Sequence, residues 1–182
     1  MTIHISRATA DDADALAACA AVTFPLACPA DSRPEDIQEH IRTHLSADRF
    51  AALVDQPGHS ILCIRDEDRI GGWSMIVVGQ PTDDDVRAVL SHAPAVELSK
   101  FYVHPELHGT GASGELMGAT LDLAAGSGRS SVWLGVNQEN ARAIRFYEKN
   151  GFRRVGTKRF RLGERYEDDY ILEQSLPSSS AA

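Results

Sequence analysis

The stretch YVHPELHGTGASGE, from Tyr102 to Glu115, begins with the pattern of a buried strand and ends with that of a helix start. Gly109, Gly111 and Gly114 lie between the two elements. Glycine inside a regular element costs about 0.5–1 kcal/mol relative to alanine, so three glycines this close together indicate that the backbone here needs a conformation or a closeness that side chains would prevent. Either the turn needs positive φ angles, or another molecule approaches the backbone too closely for side chains.

The position of this loop between a strand and a helix favours an anion site. The first N–H groups of a helix lack partners and carry partial positive charge, which suits a phosphate. Two known phosphate motifs fit poorly. A P-loop needs Lys and then Ser or Thr after its last glycine, whereas Glu115 follows Gly114. A Rossmann fingerprint belongs to the first β–α–β unit with an acid on the next strand, and SSVWLGV has none.

The pattern of apolar residues, glycine and proline predicts a mixed α/β chain. Strands are predicted at residues 3–6, on both arms of a hairpin over 60–79 that turns at 66–69, at 95–103, at 131–136, and at 152–162 and 166–176 around Gly163. Helices are predicted at residues 9–22, 33–46, 114–125 and 140–150, with one helical turn in the polar stretch 80–94. This order predicts one sheet with helices on its faces, a single domain over residues 1–176, and a disordered tail at 177–182.

Charge and cysteine content limit the classes of function. A net charge of −8 argues against general nucleic-acid binding, which needs clustered cations, and suits a cationic small molecule. Cys19, Cys28 and Cys63 form no CxxC pair, so reduced thiols in a cytoplasmic protein are expected rather than disulfides or a metal site. The sequence shows neither a signal-peptide pattern nor an apolar run of membrane-spanning length, so no membrane partner is expected.

Two motifs carry a resemblance to a known family. HGTGAS, residues 108–113, resembles the Q/R-x-x-G-x-G/A loop of the GNAT family of acyl-CoA N-acyltransferases, although His108 replaces Gln or Arg and Ser113 replaces the last Gly or Ala. VNQENARAIRFYEKNGF, residues 136–152, resembles the family pattern N-x-x-A-x-x-F-Y-x-x-x-G-F. The matching residues are Asn140, Ala143, Phe146, Tyr147, Gly151 and Phe152. The two motifs follow one another in the family's order.

The resemblance implies the family's fold, a single α/β domain with a mixed, mostly antiparallel sheet flanked by helices. The sheet is splayed between two central parallel strands, here 101–103 and 132–136, where the pantetheine arm of acetyl-CoA pairs like an added strand. Acetyl-CoA is the implied co-substrate, without a metal, and its pyrophosphate lies on the amides of the glycine loop. The implied coenzyme-binding residues are Phe101, Tyr102, Val103, His108, Gly109, Thr110, Gly111, Ala112, Ser113, Gly114, Asn137, Asn140 and Tyr147.

The resemblance also implies catalytic roles. Tyr147 corresponds to the tyrosine that acts as general acid near the coenzyme sulfur, and the N–H of Val103 corresponds to a donor to the acetyl carbonyl. Glu97 is the candidate general base, because some family members carry a glutamate at this place on the strand. Strand alternation predicts that Glu97, Ser99, Phe101 and Val103 share one face. The alternative for Glu97 is a carboxylate in a salt bridge or in solvent.

Ordinary structural roles are open for the other motif residues. Asn140 can cap the helix that follows it. Ala143 and Phe146 lie three apart, on one helix face, which is typical of packing. Gly151 is expected to end the helix as a C-cap, and Phe152 is expected in the core.

The stretches 97–111, 132–152 and 155–174 look closest to PaiA-like polyamine N-acetyltransferases, a subgroup in which some members are described as negative regulators of gene expression. The resemblance implies a spermidine- or spermine-like acceptor that attacks directly in a ternary complex. The acidic residues of 83–85 and 164–169 could attract such a polycation or could face water. A peptide, protein or antibiotic amine remains open as acceptor. His108 and Ser113 keep open a CoA-binding regulator with little catalysis, and a homodimer is also open because such domains often pair.

Overall fold

A computed structural model describes residues 3–66 and 69–177 of the 182-residue chain. The predicted hairpin turn at 66–69 therefore lies partly outside the described residues, and so does the predicted tail at 177–182 apart from Pro177. The strands are β1 (Ile3–Arg7), β2 (His59–Asp66), β3 (Arg69–Val78), β4 (Ala95–Val103), β5 (Ser131–Asn137), β6 (Arg153–Leu162) and β7 (Arg165–Ser175). The helices are α1 (Ala13–Thr23), α2 (Pro34–His44), α3 (Ala47–Val54), α4 (Asp84–Val89), α5 (Ala112–Ala125) and α6 (Ala141–Lys149).

The strands form one sheet in the order β1-β2-β3-β4-β5-β7-β6. Within the described part of the chain β4 and β5 are the one parallel pair, and the other neighbours are antiparallel. This confirms the predicted mixed, mostly antiparallel sheet. The helix α3 was not predicted. It forms because Ser46 caps it by accepting a hydrogen bond from the Arg49 N–H (3.3 Å) and because Phe50 and Leu53 bury its inner face.

Helices cover both faces of the sheet. On one face, α1 and α3 bury a cluster that contains Leu16, Phe50 and Trp73, and the rings of Phe50 and Trp73 meet edge to face at 5.0 Å. On the other face, α5 and α6 bury a cluster that contains Met117 and Leu172. Fully burying an aliphatic or aromatic side chain of this size contributes about 1.5–3 kcal/mol, so these two clusters hold the sheet between its helices.

The two parallel strands separate shortly after they meet, as the resemblance implied. Their pairing covers Ala95–Glu97 on β4 and Ser131–Trp133 on β5, and no described pair joins the two strands beyond it. From Leu98 onward, β4 therefore pairs with β3 alone. The sheet is splayed at its centre, and the splay opens on the carboxyl side of both strands.

The predicted alternation of side chains along β4 is wrong after Leu98. Met75 of β3 lies opposite Lys100 and Ile76 lies opposite Leu98, so Ser99 is an extra residue that forms a β-bulge. Directly opposed residues share a face, and the bulge therefore places Glu97, Lys100 and Tyr102 on the face of α1. Phe101 and Val103 lie on the opposite face, where the Phe101 ring meets the Phe146 ring of α6 at 5.4 Å.

A buried glutamate fixes the place where β4 and β5 begin. Glu173 of β7 accepts hydrogen bonds from the N–H groups of Ser91 (2.8 Å) and His92 (3.1 Å) and from the Ser131 hydroxyl (2.7 Å). These contacts tie the loop before β4 and the first residue of β5 to a third strand. The short parallel pair, and with it the start of the splay, is thereby held in register.

Replacing Glu173 with Gln should lower the free energy of unfolding by about 1–3 kcal/mol, because the amide NH₂ takes the place of one acceptor oxygen, faces donors there and leaves buried groups unpaired. Urea titration followed by circular dichroism measures this change. The matched control is Glu164→Gln, an exposed carboxylate in the β6–β7 turn, which should change stability by less than about 0.5 kcal/mol. Equal changes in the free energy of unfolding for the two substitutions would contradict the proposed role of Glu173 in holding β4 and β5 in register.

Candidate active site

A cavity of about 230 Å³ lies where β4 and β5 separate. The segment between α1 and α2 covers it on one side, and β6 and β7 close it on the other. Its polar lining includes the carboxylates Glu97, Glu167 and Asp169, the amines Lys100 and Lys158, and the tyrosines Tyr102 and Tyr147. Ionisable groups and aromatic rings therefore converge at the splay of the sheet, which is the usual composition of a catalytic pocket.

Tyr147 lies on α6 and is 9% exposed. Its ring packs edge to face against the rings of Phe101 and Phe152, with ring centroids 6.2 Å and 5.8 Å apart, and these two rings hold it in place. No described residue hydrogen-bonds to its hydroxyl, although Tyr147 lines the cavity. Burial raises the pKa of this phenol well above its usual value, so the group keeps its proton at neutral pH. A protonated hydroxyl with a free donor can deliver a proton into the cavity.

Glu97 lies at the last paired residue of β4, where the splay begins. The structure does not have the predicted alternative of a carboxylate in a salt bridge or in solvent. Glu97 is largely buried and makes no ion pair within 4.0 Å among the described residues. Burial raises the pKa of its carboxyl, and the charges of Lys100 and Lys158 oppose that rise. A carboxylate with a raised pKa takes up a proton more readily near neutral pH than an exposed glutamate does.

The glycine loop has the positive φ angles that one explanation required, and its outer face leaves room for the close approach that the other required. Gly109 and Gly111 have φ angles of 82° and 94°, which other residues rarely adopt. A Cβ atom added at Gly109, Gly111 or Gly114 would meet no described atom within 4 Å, so the outer face of the loop is open. In the described residues the N–H groups of Gly109, Gly111 and Ser113 find no acceptor. An open surface with free amides at the start of α5 fits the pyrophosphate of acetyl-CoA.

His108 has a structural contact within the chain. Its Nε2 lies 2.9 Å from the carbonyl oxygen of Val103, so this nitrogen carries the hydrogen and donates it. The contact joins the glycine loop to the end of β4, although the loop and strand are separated by the turn at Pro105–Leu107. The imidazole therefore fixes the loop relative to the strand along which the coenzyme would lie.

The structure brings together part of the predicted site. Six predicted residues line the cavity: Glu97, Phe101, Tyr102, Asn137, Asn140 and Tyr147. Val103 and the loop residues 108–114 do not line it, and lie along β4 and at the start of α5 instead. These two groups are what a long coenzyme would need, with its anionic end at the loop and its reactive end at the cavity.

The ordinary roles predicted for the second motif are confirmed. The Asn140 side chain caps α6 by accepting a hydrogen bond from the Ala143 N–H (3.0 Å). Ala143 and Phe146 pack against the core, and Phe152 is buried. Gly151 has a φ angle of 98° just beyond the end of α6, as a C-cap glycine requires.

Sequence reasoning missed the lysines of the cavity and left its acidic wall unresolved. The chain contains three lysines and fifteen arginines, and two of the lysines, Lys100 and Lys158, line this cavity. Within the acidic segment 164–169, Glu167 and Asp169 face the cavity while Glu164 and Asp168 are exposed. The period of two along a strand could have separated these pairs once the register was known.

The other acidic cluster faces water. Asp83 accepts a hydrogen bond from the Asp85 N–H (2.9 Å) at the start of α4, and Asp84 pairs with Arg87. In the part of the chain that the structure describes, no group of three or more His, Cys, Asp or Glu residues could hold a metal ion. In the same part, no helix is long and apolar enough to cross a membrane.

Comparison with known proteins agrees with the fold and the site described above. The model of the GNAT acetyltransferase family matches residues 24–152. An uncharacterised N-acetyltransferase of Mycobacterium tuberculosis is 47% identical over 91% of this chain and 98% of its own.

Two solved structures share the fold. PaiA N-acetyltransferase from Thermoplasma acidophilum, in complex with coenzyme A, has a TM-score of 0.79 and 20% identity, and the match covers 96% of this chain and 99% of that one. yncA from Salmonella typhimurium, solved with its cofactor acetyl-CoA, has a TM-score of 0.65 and 21% identity, over 100% and 98% of the two chains. The chain belongs to the GNAT family and is an N-acetyltransferase that uses acetyl-CoA.

Proposed function

We propose that the protein transfers the acetyl group of acetyl-CoA to a primary amine of a polyamine such as spermidine or spermine, by direct attack in a ternary complex. The coenzyme lies along β4 from Phe101 to Val103, with its pyrophosphate on the amides of residues 108–114. The acceptor occupies the cavity beside Glu97 and Tyr147. Cys19, Cys28 and Cys63 are free thiols, which suits an enzyme of the reducing cytoplasm.

The observation that carries the acceptor class is a pair of carboxylates in the cavity wall, Glu167 and Asp169, that receive no hydrogen bond from the described residues. Oε1 of Glu167 is buried without a hydrogen-bond partner, and the nearest cation, Nε of Arg165, lies 3.9 Å away. Asp169 is 7% exposed. Lys158 of β6 lies directly opposite it in the sheet, but neither Lys158 nor any other described group donates a hydrogen bond to the Asp169 carboxylate or pairs with it within 4.0 Å. Burying a carboxylate costs several kcal/mol unless a cation pairs with it. An ammonium group of the acceptor, donating directly to these oxygens, supplies the close pairing that Arg165 and Lys158 do not make.

The rest of the cavity suits the carbon chain of a polyamine. The rings of Phe24 and His40 stack at 4.5 Å, and Phe160 meets His40 edge to face at 5.8 Å. Burial lowers the pKa of His40 to about 4, so this wall stays uncharged at neutral pH and does not repel a cation. Aromatic faces attract ammonium groups and cover methylene groups. The sequence resemblance to PaiA-like polyamine N-acetyltransferases supports the same acceptor class.

The positions of Glu97 and Tyr147 suit the two proton transfers of acetyl transfer. An amine must lose a proton before or during attack, and the raised pKa of Glu97 makes it a suitable acceptor. The departing sulfur needs a proton, and the Tyr147 hydroxyl holds one. Both groups face the cavity that is also lined by Glu167 and Asp169, the carboxylates proposed to bind the acceptor. This joint placement favours an enzyme over a CoA-binding regulator.

Thiol release from acetyl-CoA, measured against spermidine, spermine, diamines, aminoglycosides and N-terminal peptides, tests the acceptor class. We expect turnover with polyamines. Turnover restricted to peptides or aminoglycosides would keep the reaction and overturn the polyamine assignment. Tight coenzyme binding in calorimetry without turnover of any amine would contradict the catalytic roles.

Asp169→Asn should raise the KM for spermidine roughly 10- to 100-fold and leave the KM for acetyl-CoA unchanged, because a buried ion pair is lost at the acceptor. Asp168→Asn removes the same charge from an exposed neighbour and should have little effect. Burial raises the pKa of Asp169 to about 6. The carboxylate therefore forms as the pH rises through about 6, and the wild-type KM for spermidine should fall over that range. A pH profile that Asp169→Asn leaves unchanged would contradict the role.

Tyr147→Phe should lower kcat about 100-fold or more, the usual contribution of a general acid, while the KM for acetyl-CoA stays within about threefold. The ring and its packing remain in this variant, so only the proton donor is lost. Tyr166→Phe, at a residue that is 60% exposed, is the control. Steady-state kinetics of both variants would overturn the assignment if Tyr147→Phe retained wild-type kcat.

Gly114→Ala should stabilise α5 by up to about 1 kcal/mol, since no described atom opposes the added methyl group. The same methyl group should raise the KM for acetyl-CoA roughly tenfold or more. It would contact a bound pyrophosphate too closely, which should weaken coenzyme binding by about 1–3 kcal/mol. Gly118→Ala, one turn further along α5 and also open, should stabilise without this loss. Thermal melting and kinetics separate the two effects. Unchanged coenzyme affinity in Gly114→Ala would place the pyrophosphate elsewhere.

A further inference from the structure

We propose that Lys100 is itself an acetyl acceptor, so that the enzyme acetylates its own Lys100 when no other amine fills the cavity. Lys100 lines the cavity together with Glu97 and Tyr147. An amine is thus built into the chamber in which acetyl-CoA is expected to present its thioester. The inference relies on the proton transfers proposed above, and it is independent of which external amine the enzyme accepts.

The β-bulge at Ser99 is what delivers this side chain to the cavity. In a regular strand, Lys100 would lie on the face opposite to Glu97. The extra residue places Lys100 on the same face as Glu97 and Tyr102, on the stretch of β4 that no longer pairs with β5. Lys100 therefore lies at the start of the splay, where the reactive end of a coenzyme bound along β4 is expected.

The hydrogen bonds of Lys100 suit a neutral amine better than an ammonium ion. Its Nζ donates to the Ser99 carbonyl oxygen (3.2 Å) and to Oγ of the same residue (3.3 Å), and both acceptors are uncharged. No carboxylate of the described residues lies within 4.0 Å of Nζ. A neutral amine has two N–H donors, and both are used by Ser99, so the lone pair points away from these contacts. Such a lone pair is the nucleophile that acyl transfer needs.

Burial acts in the same direction. It lowers the pKa of the Lys100 ammonium, since a charged amine loses hydration in the interior. The neighbouring Glu97 opposes this shift without forming an ion pair. An arginine at this position would keep its charge, whereas lysine can lose its proton.

The chemical step balances within the groups of the cavity. The Nζ lone pair forms a bond to the acetyl carbonyl carbon, and the carbon–sulfur bond breaks with its electron pair on sulfur. The surplus proton on nitrogen passes to the Glu97 carboxylate, and the sulfur takes the Tyr147 proton. Proton return through water restores Glu97 and Tyr147, which leaves N-acetyl-lysine and free coenzyme A as products. The acetylated side chain is uncharged and larger, so it would occupy part of the acceptor chamber.

The test is peptide mapping by mass spectrometry of the purified full chain, as isolated and after incubation with acetyl-CoA at neutral pH without an added amine. Lys149 at the end of α6 is an exposed internal reference, and Lys158 is a second reference within the cavity. We expect one acetyl group on Lys100, gained at least roughly tenfold faster than on Lys149 because the amine is held in the site. Tyr147→Phe and heat-denatured protein should lose this preference, and spermidine should slow the modification.

Lys100→Arg is the matched variant, because it keeps a long basic side chain with N–H donors and removes the nucleophilic lone pair. Its acetyl incorporation should fall to the level of Lys149 alone. Lys100 left unmodified by an enzyme that acetylates added amines would overturn the inference, and so would equal acetylation of all three lysines. Acetylation of Lys100 in a protein that accepts no polyamine would support the inference and contradict the proposed acceptor.

Discussion

The structure depends on the short pairing of β4 with β5. The two strands share three residue positions and then separate, so within the described residues the N–H and C=O groups of β4 that face β5 have no strand partner after Glu97. Unpaired backbone groups at the centre of a sheet are costly when they are buried, and they are tolerated where a polar ligand can satisfy them. The pantetheine arm of acetyl-CoA carries amide groups that can do so. Glu173 keeps this arrangement in place, because it holds the beginnings of both strands on β7.

The bulge at Ser99 then determines which side chains of β4 face the cavity. Before the bulge, Glu97 faces the cavity, and after it Lys100 and Tyr102 face the same way while Phe101 turns to α6. On the far wall, β7 contributes Glu167 and Asp169, two residues apart on one face. The cavity is thus lined by β4, along which the bulge breaks the alternation of side chains between the two faces, and by β7, along which the alternation is regular. Its carboxylates lie on β4 and β7, and its amines lie on β4 and β6.

The sequence predicted what is local and missed what depends on pairing between distant segments. The strand bounds, the glycine loop with positive φ at Gly111, and the cap at Asn140 follow from short-range rules, and the structure has them. The helix α3 was missed because it follows α2 after a two-residue break and is only eight residues long. Nothing in the letters around Ser99 marks a bulge, since it arises from the register between β3 and β4. The lysines of the cavity could not be assigned for the same reason, because Lys100 and Lys158 meet only through the fold.

The burial of Lys100 and its proposed reactivity have one physical origin. Burial lowers the pKa of the Lys100 ammonium, so this amine loses its proton more readily than an exposed lysine does, and an amine without its proton is a nucleophile. The fold therefore shifts Lys100 toward its reactive form, and an acetyltransferase with a lysine in the lining of its proposed acceptor chamber has an internal competitor for its substrate. An external polyamine overcomes that competitor if its second ammonium group is held by Glu167 and Asp169, which lie on the opposite wall. The same carboxylates that select the acceptor would then also determine how often the enzyme modifies itself.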